Sequence, residues 1–466
     1  MKLYNTMTMQ KEEFVPLVEG KVTMYACGPT VYDYIHIGNA RPIIVFDALR
    51  RYFEYRGYEV TFVQNFTDID DKIIRRANEL GISSRELAER FIKEYFVDAK
   101  GLGVREVSIH PRATENIGQI IEMIETLISK GLAYESNGDV YYRTEKFPGY
   151  GKLSHQSLDD LLAGARVDVN EIKENPMDFA LWKKAKPGEP SWPSPWGEGR
   201  PGWHIECSAM SSRYLGKTID IHCGGQDLTF PHHENEIAQS EGASGQTFVR
   251  YWLHNGYINV DNRKMSKSLG NFFTVRDAAA AYGYENIRMF MLMSHYRSPL
   301  NYSGEALTHA KNALERLKQA RKNLLFVKEN GREGEIDEAG LDKKLEVYRS
   351  RYIEAMDDDF NTADAISVIF ELVREANTLV SSGTMARREA ERYLSLFDEL
   401  TGVLGLLYAE KDADTELAEE VEALIAARQA ARKAKNWAEA DRIRDKLKEM
   451  GIILEDTPQG VRWRRA

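Results

Sequence analysis

Cysteine is scarce in this sequence, whose 466 residues include only Cys27, Cys207 and Cys223. Three cysteines cannot build a disulfide framework, so a reducing compartment, the cytoplasm, is expected. Long apolar runs are missing as well, because no stretch approaches the roughly 18 residues that a membrane-spanning helix needs. Positive charge is not in excess either. The 62 Lys and Arg against 72 Asp and Glu give a net charge of -10, which argues against a protein coated in nucleic acid.

Strand-like and helix-like patterns alternate over the first hundred residues. Residues 22–27 form a short apolar run that predicts a buried strand, residues 40–55 have helical periodicity, and residues 58–65 predict a second strand. Strand, helix, strand is a βαβ unit, which is typical of a parallel, doubly wound sheet. We therefore predict an α/β fold for this part of the chain.

Later segments break this alternation. A hairpin turning at Asn137-Gly138 marks residues 118–202 as an insertion, and residues 187–203, with five prolines and three tryptophans, predict a packed but irregular loop. Helical periodicity dominates the last third of the chain, and the tail from Ala426 has 11 Lys and Arg against 6 Asp and Glu. The predicted segments are two halves of an α/β domain (1–117 and 203–300), the insertion between them (118–202), an α-helical bundle (301–410) and a small C-terminal domain (411–466).

Two cysteines and the run HHENE at 232–236 could form a metal site. On a helix, His232 and Glu236 stand four residues apart and share one face. Together with Cys27 and Cys207 they would offer two thiolates, an imidazole and a carboxylate to a tetrahedral zinc ion. Spacing alone favours another interpretation, small buried cysteines and a polar helix start, because no Cys-x-x-Cys pair anchors the site.

Two polar motifs could bind phosphates. They are the HIGN motif (His36, Ile37, Gly38 and Asn39) and the KMSKS motif (Lys264, Met265, Ser266, Lys267 and Ser268). The first opens a predicted helix, whose free N–H groups and dipole favour an anion, and the two lysines of the second could stabilise a pyrophosphate. Taken alone, each motif has a simpler explanation: a helix-capping turn for HIGN and an ordinary surface loop for KMSKS.

The two motifs, in this order, resemble the signatures of class I aminoacyl-tRNA synthetases. The stretches around them narrow the resemblance to cysteinyl-tRNA synthetases: CGPTVYDYIHIGNARP, NFTDIDDKIIRRA, PGWHIECSAM, DIHCGGQDLTFPHHENEIAQS and NRKMSKSLGNF. They follow one another from about residue 20 to residue 300, and DDDFNTADAI at 357–366 extends the match into the helical part. Several motifs in a fixed order form a specific signal, which reverses the preference for a structural role of the two cysteines.

The resemblance implies a Rossmann-type catalytic domain with a connective insertion, followed by a helical bundle and a small domain that bind tRNA(Cys). It also implies one zinc ion per chain, held by Cys27, Cys207, His232 and Glu236, with the thiolate of the substrate L-cysteine as a further ligand. A serine hydroxyl is a poorer zinc ligand than a thiolate, so serine would be rejected without editing. The neighbouring residues that are not expected to be ligands are His233, Glu234 and Cys223.

The implied reaction is attack of the cysteine carboxylate on the α-phosphate of ATP, which Mg²⁺ accompanies. In the family pattern His36, Gly38 and Asn39 bind the phosphates. Lys264 and Lys267 stabilise the charge on the leaving pyrophosphate. Asn39 stands where the nominal HIGH signature has its second histidine, and its amide can still donate hydrogen bonds.

Other residues match family positions around the amino-acid pocket. Trp203, Asp227 and Thr67 are expected to line it, with Asp227 pairing with the substrate ammonium; for Trp203 the alternative is a core aromatic. The segment KIIR at 72–75 resembles a motif that is linked in the family to pyridoxal phosphate and persulfide formation. An amphipathic helix explains those four residues equally well.

The basic tail is compatible with RNA contact, because phosphate contacts supply much of the affinity for RNA. Trp437, Trp463 and Arg462 are candidate tRNA contacts, although the tryptophans could equally form the core of a small domain. A monomer is the family expectation. Two alternatives share part of the pattern: a related ligase that joins cysteine to an amino sugar would not need the basic tail, and a non-catalytic RNA-binding paralogue would not need both phosphate motifs.

Overall fold

The structure is a computed structural model that describes residues 1–156, 173–261, 263–264, 273–408, 415–457 and 460–465. It divides into two compact units. The first consists of Met1–Thr308 together with Ala355–Thr362, and the second of His309–Glu354 together with Ala363–Ala466.

Strands and helices are numbered here in chain order. The strands are β1 (Lys2–Asn5), β2 (Gln10–Glu13), β3 (Lys21–Ala26), β4 (Glu59–Gln64), β5 (Ala133–Ser136), β6 (Asp139–Tyr142), β7 (Phe179–Lys184), β8 (Gly199–Pro201), β9 (Ile219–Gly225), β10 (Val249–Asn255), β11 (Ile258–Val260), β12 (Arg263–Lys264), β13 (Leu300–Tyr302), β14 (Ile452–Thr457) and β15 (Gly460–Arg465). The helices are α1 (Ile37–Tyr55), α2 (Asp71–Leu80), α3 (Ser84–Gly101), α4 (Ile117–Ser129), α5 (Trp203–Leu215), α6 (Glu234–Ser244), α7 (Val275–Tyr282), α8 (Tyr284–Leu292), α9 (Gly304–Asn330), α10 (Glu338–Asp357), α11 (Thr362–Ser381), α12 (Arg387–Val403), α13 (Thr415–Lys433) and α14 (Trp437–Glu449). None of the described helices combines the length and the apolar character that crossing a membrane requires.

A parallel sheet with the strand order β10, β9, β3, β4 forms the centre of the first unit. The chain passes from β3 through α1 to β4, which is the predicted βαβ unit. β9 and β10 come after the insertion and join the sheet beside β3, so the two halves of the domain meet between β3 and β9. Such a reversal of strand order is the switch point of a doubly wound sheet. The predicted fold class is confirmed.

Central strands of a parallel sheet are covered on both faces, which makes them continuous apolar runs rather than alternating ones. In β9 all residues are buried except the last. In α1 the buried face includes Ile44, Phe46 and Phe53. This helix begins at Ile37, earlier than the periodicity from residue 40 predicts, because the polar HIGN motif supplies its first turn.

The insertion carries its own antiparallel sheet, with the strand order β5, β6, β7, β8. Its Tyr142 and Trp182 are fully buried in the same hydrophobic core as Tyr25 of β3. The expectation of a wholly irregular segment at 187–203 is wrong at its end, where β8 pairs with β7. A Cβ at Gly199 would lie 2.2 Å from Trp182 Nε1, so only glycine lets the two strands approach so closely.

The second unit is helical, as predicted, and ends in a hairpin of β14 and β15. Its C-terminal part has a small core of its own, formed by Val421, Ile425, Ile443, Leu447 and Ile452. Amphipathic helices α13 and α14 and the hairpin meet at this core.

One short segment in the helical part of the sequence packs with the first unit, namely Ala355–Thr362. Its Asp359 is fully buried. The carboxylate accepts hydrogen bonds from Tyr4 N–H at 2.8 Å, Tyr296 Oη at 2.9 Å and Arg297 Nε at 2.7 Å. A buried carboxylate with three donors is strongly held, so this segment is an integral part of the first unit.

Candidate active site and metal centre

The carboxyl ends of the parallel strands open into a cavity of about 1170 Å³. Residues that follow the strand ends line it, among them Cys27 after β3, Asp227 after β9 and Gly256 after β10. Ligands of doubly wound proteins bind outside the carboxyl ends of the strands at the switch point. This cavity is therefore the candidate active site.

Four potential metal ligands meet beside the cavity. Cys27 Sγ lies 3.5 Å from Cys207 Sγ, 3.3 Å from His232 Nε2 and 3.1 Å from Glu236 Oε1. The four donor atoms lie within 4.8 Å of one another. Zinc bonds of about 2.3 Å to sulfur and about 2.0 Å to nitrogen or oxygen separate tetrahedral donors by roughly 3.3 to 3.8 Å, so the spacing is near that of a zinc site.

These donors come from distant parts of the chain. Cys27 follows β3, Cys207 lies in α5, and His232 stands in the turn that leads into α6. Glu236 belongs to the first turn of α6, and its Oε1 lies 3.0 Å from His232 Nε2. The structure thus brings together the four residues that the resemblance predicts as ligands.

Two further histidines contact the candidate ligands His232 and Glu236. His204 Nδ1 lies 2.8 Å from His232 Nδ1, and His222 Nε2 lies 2.8 Å from Glu236 Oε2. Such contacts fix the orientation of metal-binding side chains. Sequence reasoning missed both residues, because His222 lies within the apolar run of β9 and His204 directly follows a tryptophan. The one signal in the sequence is position: His222 lies at the carboxyl end of the strand predicted at 217–223, and His204 lies three residues before Cys207.

A third missed histidine, His254, extends this group. Its Nε2 lies 2.8 Å from His233 Nδ1, and its Nδ1 lies 2.8 Å from the Thr6 hydroxyl. Burial and the charge of His222 lower the pKa of His254 to about 3. The hydrogen bond between the two imidazoles, with one nitrogen donating and the other accepting, orients both rings.

A second donor set overlaps the first, since Cys27, His222, His233 and Glu236 also lie within 4.8 Å of one another. His233 Nε2 is 3.6 Å and His222 Nε2 3.9 Å from Cys27 Sγ. His222 Nδ1, however, is buried and has no hydrogen-bond partner among the described residues. A metal-bound imidazole normally has a partner at its other nitrogen, so the set with Cys207 and His232 fits a metal better.

The donor set carries charge that suits a cation. Burial alone would raise the pKa of Glu236, but the charges of His222 and His232 hold it well below its usual range. Burial also acts against ionisation of Cys207, whereas the hydrogen bond from Cys27 lowers the pKa of Cys207 to about 6. Glu236 and Cys207 are thus held as a carboxylate and a thiolate. Burial raises the pKa of the Cys27 thiol, and the charge of Glu236 outweighs burial and raises the pKa of His232 to about 10, so a bound metal would displace a proton from each of these two ligands.

The HIGN motif forms the start of α1, with His36 as the N-cap residue. His36, Gly38 and Asn39 line the cavity. Asn39 Oδ1 accepts a hydrogen bond from the His36 N–H at 3.2 Å, so its side chain also caps the helix. The HIGN motif therefore forms a helix-capping turn and also lines the cavity.

The KMSKS motif is described only in part. The Lys264 backbone ends β12, where Lys264 pairs with Asn259 of β11. Met265, Ser266, Lys267 and Ser268 lie outside the described residues, as does the Lys264 side chain. The chain is described again from Phe273, whose carbonyl accepts from the Ile37 N–H at 3.1 Å. The segment after the motif is thus hydrogen-bonded to the start of α1.

Of the three residues predicted for the amino-acid pocket, Trp203 and Asp227 line the cavity. Trp203 is 40% exposed and has its ring centroid 4.1 Å from that of His232, so it is not a core aromatic. Thr67 does not line the cavity: it is 1% exposed, and its hydroxyl donates to Glu206 Oε2 at 2.8 Å. Glu206 holds the Thr67 side chain beneath the surface in this structure, and a role for Thr67 in the amino-acid pocket stays a prediction.

Cys223 is fully buried in β9, with its thiol 3.4 Å from the Tyr25 carbonyl. Burial raises the pKa of this thiol well above its usual value, as expected for a bystander. The segment at 72–75 lies in α2, which buries Ile73 and Ile74 in the core. An amphipathic helix accounts for these residues, and a pyridoxal phosphate-dependent side activity stays a prediction from the sequence.

The candidate tRNA contacts differ in exposure. Trp437 is 60% exposed at the start of α14. Trp463 packs, partly buried, against the small core of the second unit, and Lys322 Nζ lies 5.5 Å from its ring centroid. The Arg462 side chain lies outside the described part of the chain. Trp437 thus offers a ring for base stacking, whereas Trp463 has a place in the core.

Three family models match consecutive parts of the chain. The family model of the tRNA synthetases class I (C) catalytic domain matches residues 13–312, a DALR domain model matches 351–408, and a cysteinyl-tRNA ligase anticodon binding domain model matches 414–464. Cysteine–tRNA ligases from Clostridioides difficile (strain 630) and Symbiobacterium thermophilum are 60% and 59% identical, each over 100% of both chains.

A solved structure has the same fold. Methionyl-tRNA synthetase from Mycobacterium tuberculosis, in complex with methionyl-adenylate, matches with a TM-score of 0.59 at 16% identity, covering 82% of this chain and 89% of that one. The predicted family and class of enzyme are confirmed by the sequence relatives. With family models over its catalytic and anticodon-binding parts and full-length relatives at 60% identity, the chain belongs to the cysteine–tRNA ligases, a family of class I aminoacyl-tRNA synthetases.

Proposed function

We propose that this protein activates L-cysteine with ATP, forming cysteinyl-adenylate and pyrophosphate, and then transfers the cysteine to the 3′ end of tRNA(Cys). The observation that carries the proposal is the meeting of two thiols, an imidazole and a carboxylate beside a cavity whose wall includes the HIGN motif. Amino-acid recognition and phosphate binding then share one cavity. The anticodon-binding family match at 414–464 favours tRNA over an amino sugar as the acceptor of cysteine.

The proposed metal ligands are Cys27, Cys207, His232 and Glu236, holding one zinc ion per chain. Thiolate, imidazole and carboxylate are donors that zinc accepts, and the donor spacing is near tetrahedral. A zinc ion held by these residues would supply a Lewis acid to which the substrate thiolate could bind. The partly buried His204 and the buried His222 keep His232 and Glu236 oriented, so the site is organised before the substrate arrives.

Selection between cysteine and serine follows from this donor chemistry. The two amino acids differ by one atom, and a pocket that discriminates by shape alone separates such pairs by only about 10- to 200-fold. A site that requires a soft sulfur ligand discriminates further, because a hydroxyl keeps its proton and binds zinc poorly. Editing is then unnecessary.

Activation of cysteine is proposed to take place at the start of α1. The cysteine carboxylate attacks the α-phosphorus of ATP, and pyrophosphate leaves with its Mg²⁺. His36, Gly38 and Asn39 bind the phosphates, supported by the positive end of the α1 dipole. Lys264 and Lys267 then stabilise the charge that develops on the leaving group.

Binding of tRNA(Cys) is proposed for the second unit, with the helical bundle against the stem and residues 411–466 at the anticodon. The basic tail supplies phosphate contacts, and the exposed ring of Trp437 suits base stacking. We expect the protein to act as a monomer in the cytoplasm.

The proposed role of Asp227 gives a testable expectation. Asp227→Asn removes the partner of the substrate ammonium, and a charged hydrogen bond of this kind is worth about 1.5 to 3 kcal/mol, so KM for cysteine should rise roughly 10- to 100-fold. KM for ATP and the zinc content should stay unchanged. Steady-state pyrophosphate exchange measures both constants, with Glu79→Gln on the exposed face of α2 as the control. An unchanged KM for cysteine would remove Asp227 from the pocket.

The experiment that tests the proposed function is charging of total tRNA with ATP and Mg²⁺ in the presence of cysteine or serine. Cysteine charging without serine charging is the expected result. Cysteine-dependent pyrophosphate exchange without charging would point to a different acceptor, such as an amino sugar. Failure of both reactions in intact, zinc-loaded protein would leave a non-catalytic RNA-binding role.

A further inference from the structure

Arg41 is a charged side chain in an unexpected place. It lies in the first turns of α1, two residues after the HIGN motif, and is fully buried. No carboxylate pairs with it in the described part of the chain. Burial lowers its pKa to about 10, so it is still cationic at neutral pH. Burying a cation without an anionic partner is costly, which calls for a compensating set of hydrogen bonds.

Those hydrogen bonds go to four backbone carbonyls. Nη1 donates to Gly256 O at 2.7 Å and to Tyr257 O at 3.1 Å. Nη2 donates to His295 O at 3.2 Å and to Ser298 O at 2.5 Å. The rigid, planar fork of a guanidinium can hold two chain segments at once, which the single ammonium of lysine cannot do.

Both segments lead towards the KMSKS motif. Tyr257 directly precedes β11, and β11 pairs with β12, which ends at Lys264. Ser298 precedes β13, which pairs with β11 on the other side. Gly256 and Tyr257 also line the cavity, as the HIGN residues do. Arg41 therefore connects the helix that begins with one phosphate motif to the strands that carry the other.

The packing around these carbonyls leaves little freedom. A Cβ at Gly256 would lie 2.6 Å from Arg297 O and 2.7 Å from Ser298 O, so the two segments touch through their backbones. The chain that follows the KMSKS motif is also anchored at the start of α1, because Thr274 bridges to His36. Described segments before and after the motif, at Gly256–Tyr257 and at Thr274, are thus both tied to the first turns of α1.

We propose that Arg41 is a positioning residue that keeps the HIGN and KMSKS motifs in register for activation of cysteine by ATP. The proposal rests on the proposed roles of the two motifs at the phosphates. Groups from both motifs must meet one triphosphate, and a displacement of about 1 Å can cost about 100-fold in rate. Arg41 is fully buried, so it acts by holding the segments that carry the two motifs and not by contacting the substrate.

The test is Arg41→Lys, with Arg288→Lys as a matched control. Arg288 is also fully buried, but its guanidinium pairs with a carboxylate, that of Asp47, and donates to the Leu102 carbonyl. Arg41→Lys should lower kcat/KM for ATP in cysteine-dependent pyrophosphate exchange about 100-fold. Zinc content and the calorimetric Kd for cysteine should stay within a factor of two. Arg288→Lys should lower the thermal unfolding temperature without this selective loss.

Several outcomes would overturn the proposal: wild-type kinetics in Arg41→Lys, equal losses in the two variants, or an equal loss of cysteine binding and ATP use. If Arg41→Lys does not fold, Gly256→Ala displaces the same segment and should give the same selective loss for ATP. The calorimetric Kd for ATP is measured alongside. If the wild-type protein shows no cysteine-dependent pyrophosphate exchange, the proposed reaction is refuted. The calorimetric Kd values for ATP of the wild type and of Arg41→Lys would then still test the role of Arg41.

Discussion

Cys27→Ser is expected to release the zinc ion and to lower kcat/KM for cysteine by at least about 100-fold. Loss of a residue that only orients a metal ligand already lowers metal affinity or activity by about 10- to 100-fold, and loss of a ligand itself should cost at least as much. The Cys27 sulfur stands at the centre of the donor set, within 3.5 Å of Cys207 Sγ, 3.3 Å of His232 Nε2 and 3.1 Å of Glu236 Oε1. A serine hydroxyl is shorter and keeps its proton at neutral pH, so it does not replace the thiolate. Selectivity for cysteine over serine should fall at the same time.

The measurements are elemental analysis of the purified protein and charging kinetics with the two amino acids. Cys223→Ala is the matched control, since Cys223 is a fully buried cysteine of β9 whose thiol donates to the Tyr25 carbonyl and lies outside the proposed donor set. It should keep one zinc per chain and normal selectivity. Wild-type zinc content and selectivity in Cys27→Ser would remove Cys27 from the metal site.

Lys267→Ala is expected to slow formation of cysteinyl-adenylate by about 100- to 1000-fold, the typical cost of losing one group that stabilises charge in the transition state. The Kd for cysteine should not change, because the charge that Lys267 meets develops on the pyrophosphate. An interaction made only in the transition state lowers kcat and kcat/KM together.

Single-turnover formation of the adenylate and calorimetric binding of cysteine separate these two effects. Lys343→Ala, an exposed lysine of α10, controls for the loss of one positive charge. If cysteine binding weakened as much as adenylate formation, Lys267 would belong to ground-state binding rather than to the transition state.

The fold was predictable from the sequence wherever local pattern decides structure. The apolar runs of β3 and β4 and the helix between them identify a βαβ unit, because covered parallel strands need no alternation. Local pattern did not reveal β8, whose pairing depends on the absence of a side chain at Gly199 against Trp182. Close packing of that kind is a property of two segments and is not visible in either one.

For the metal ligands, too, the sequence shows local relations but not contacts between distant segments. Only the spacing of His232 and Glu236 is local, and the approach of Cys27 and Cys207 was supplied by the family resemblance rather than by their positions in the chain. His222 and His254 could not be predicted, because a histidine within an apolar strand has the pattern of a core residue. The burial of Thr67 was not predictable for a related reason: its side chain is held by Glu206, which lies far away in sequence.

The position of Asp359 has a consequence for any attempt to isolate the catalytic part of the protein. A fragment ending at Thr308 contains the whole parallel sheet and the cavity, but it lacks the carboxylate that accepts from Tyr4, Tyr296 and Arg297. Arg297 adjoins Ser298 and the strands that lead to the KMSKS motif. The sequence limits of the catalytic unit are therefore not its structural limits, and a truncated enzyme needs residues 355–362 supplied as a separate peptide or by a redesigned connection.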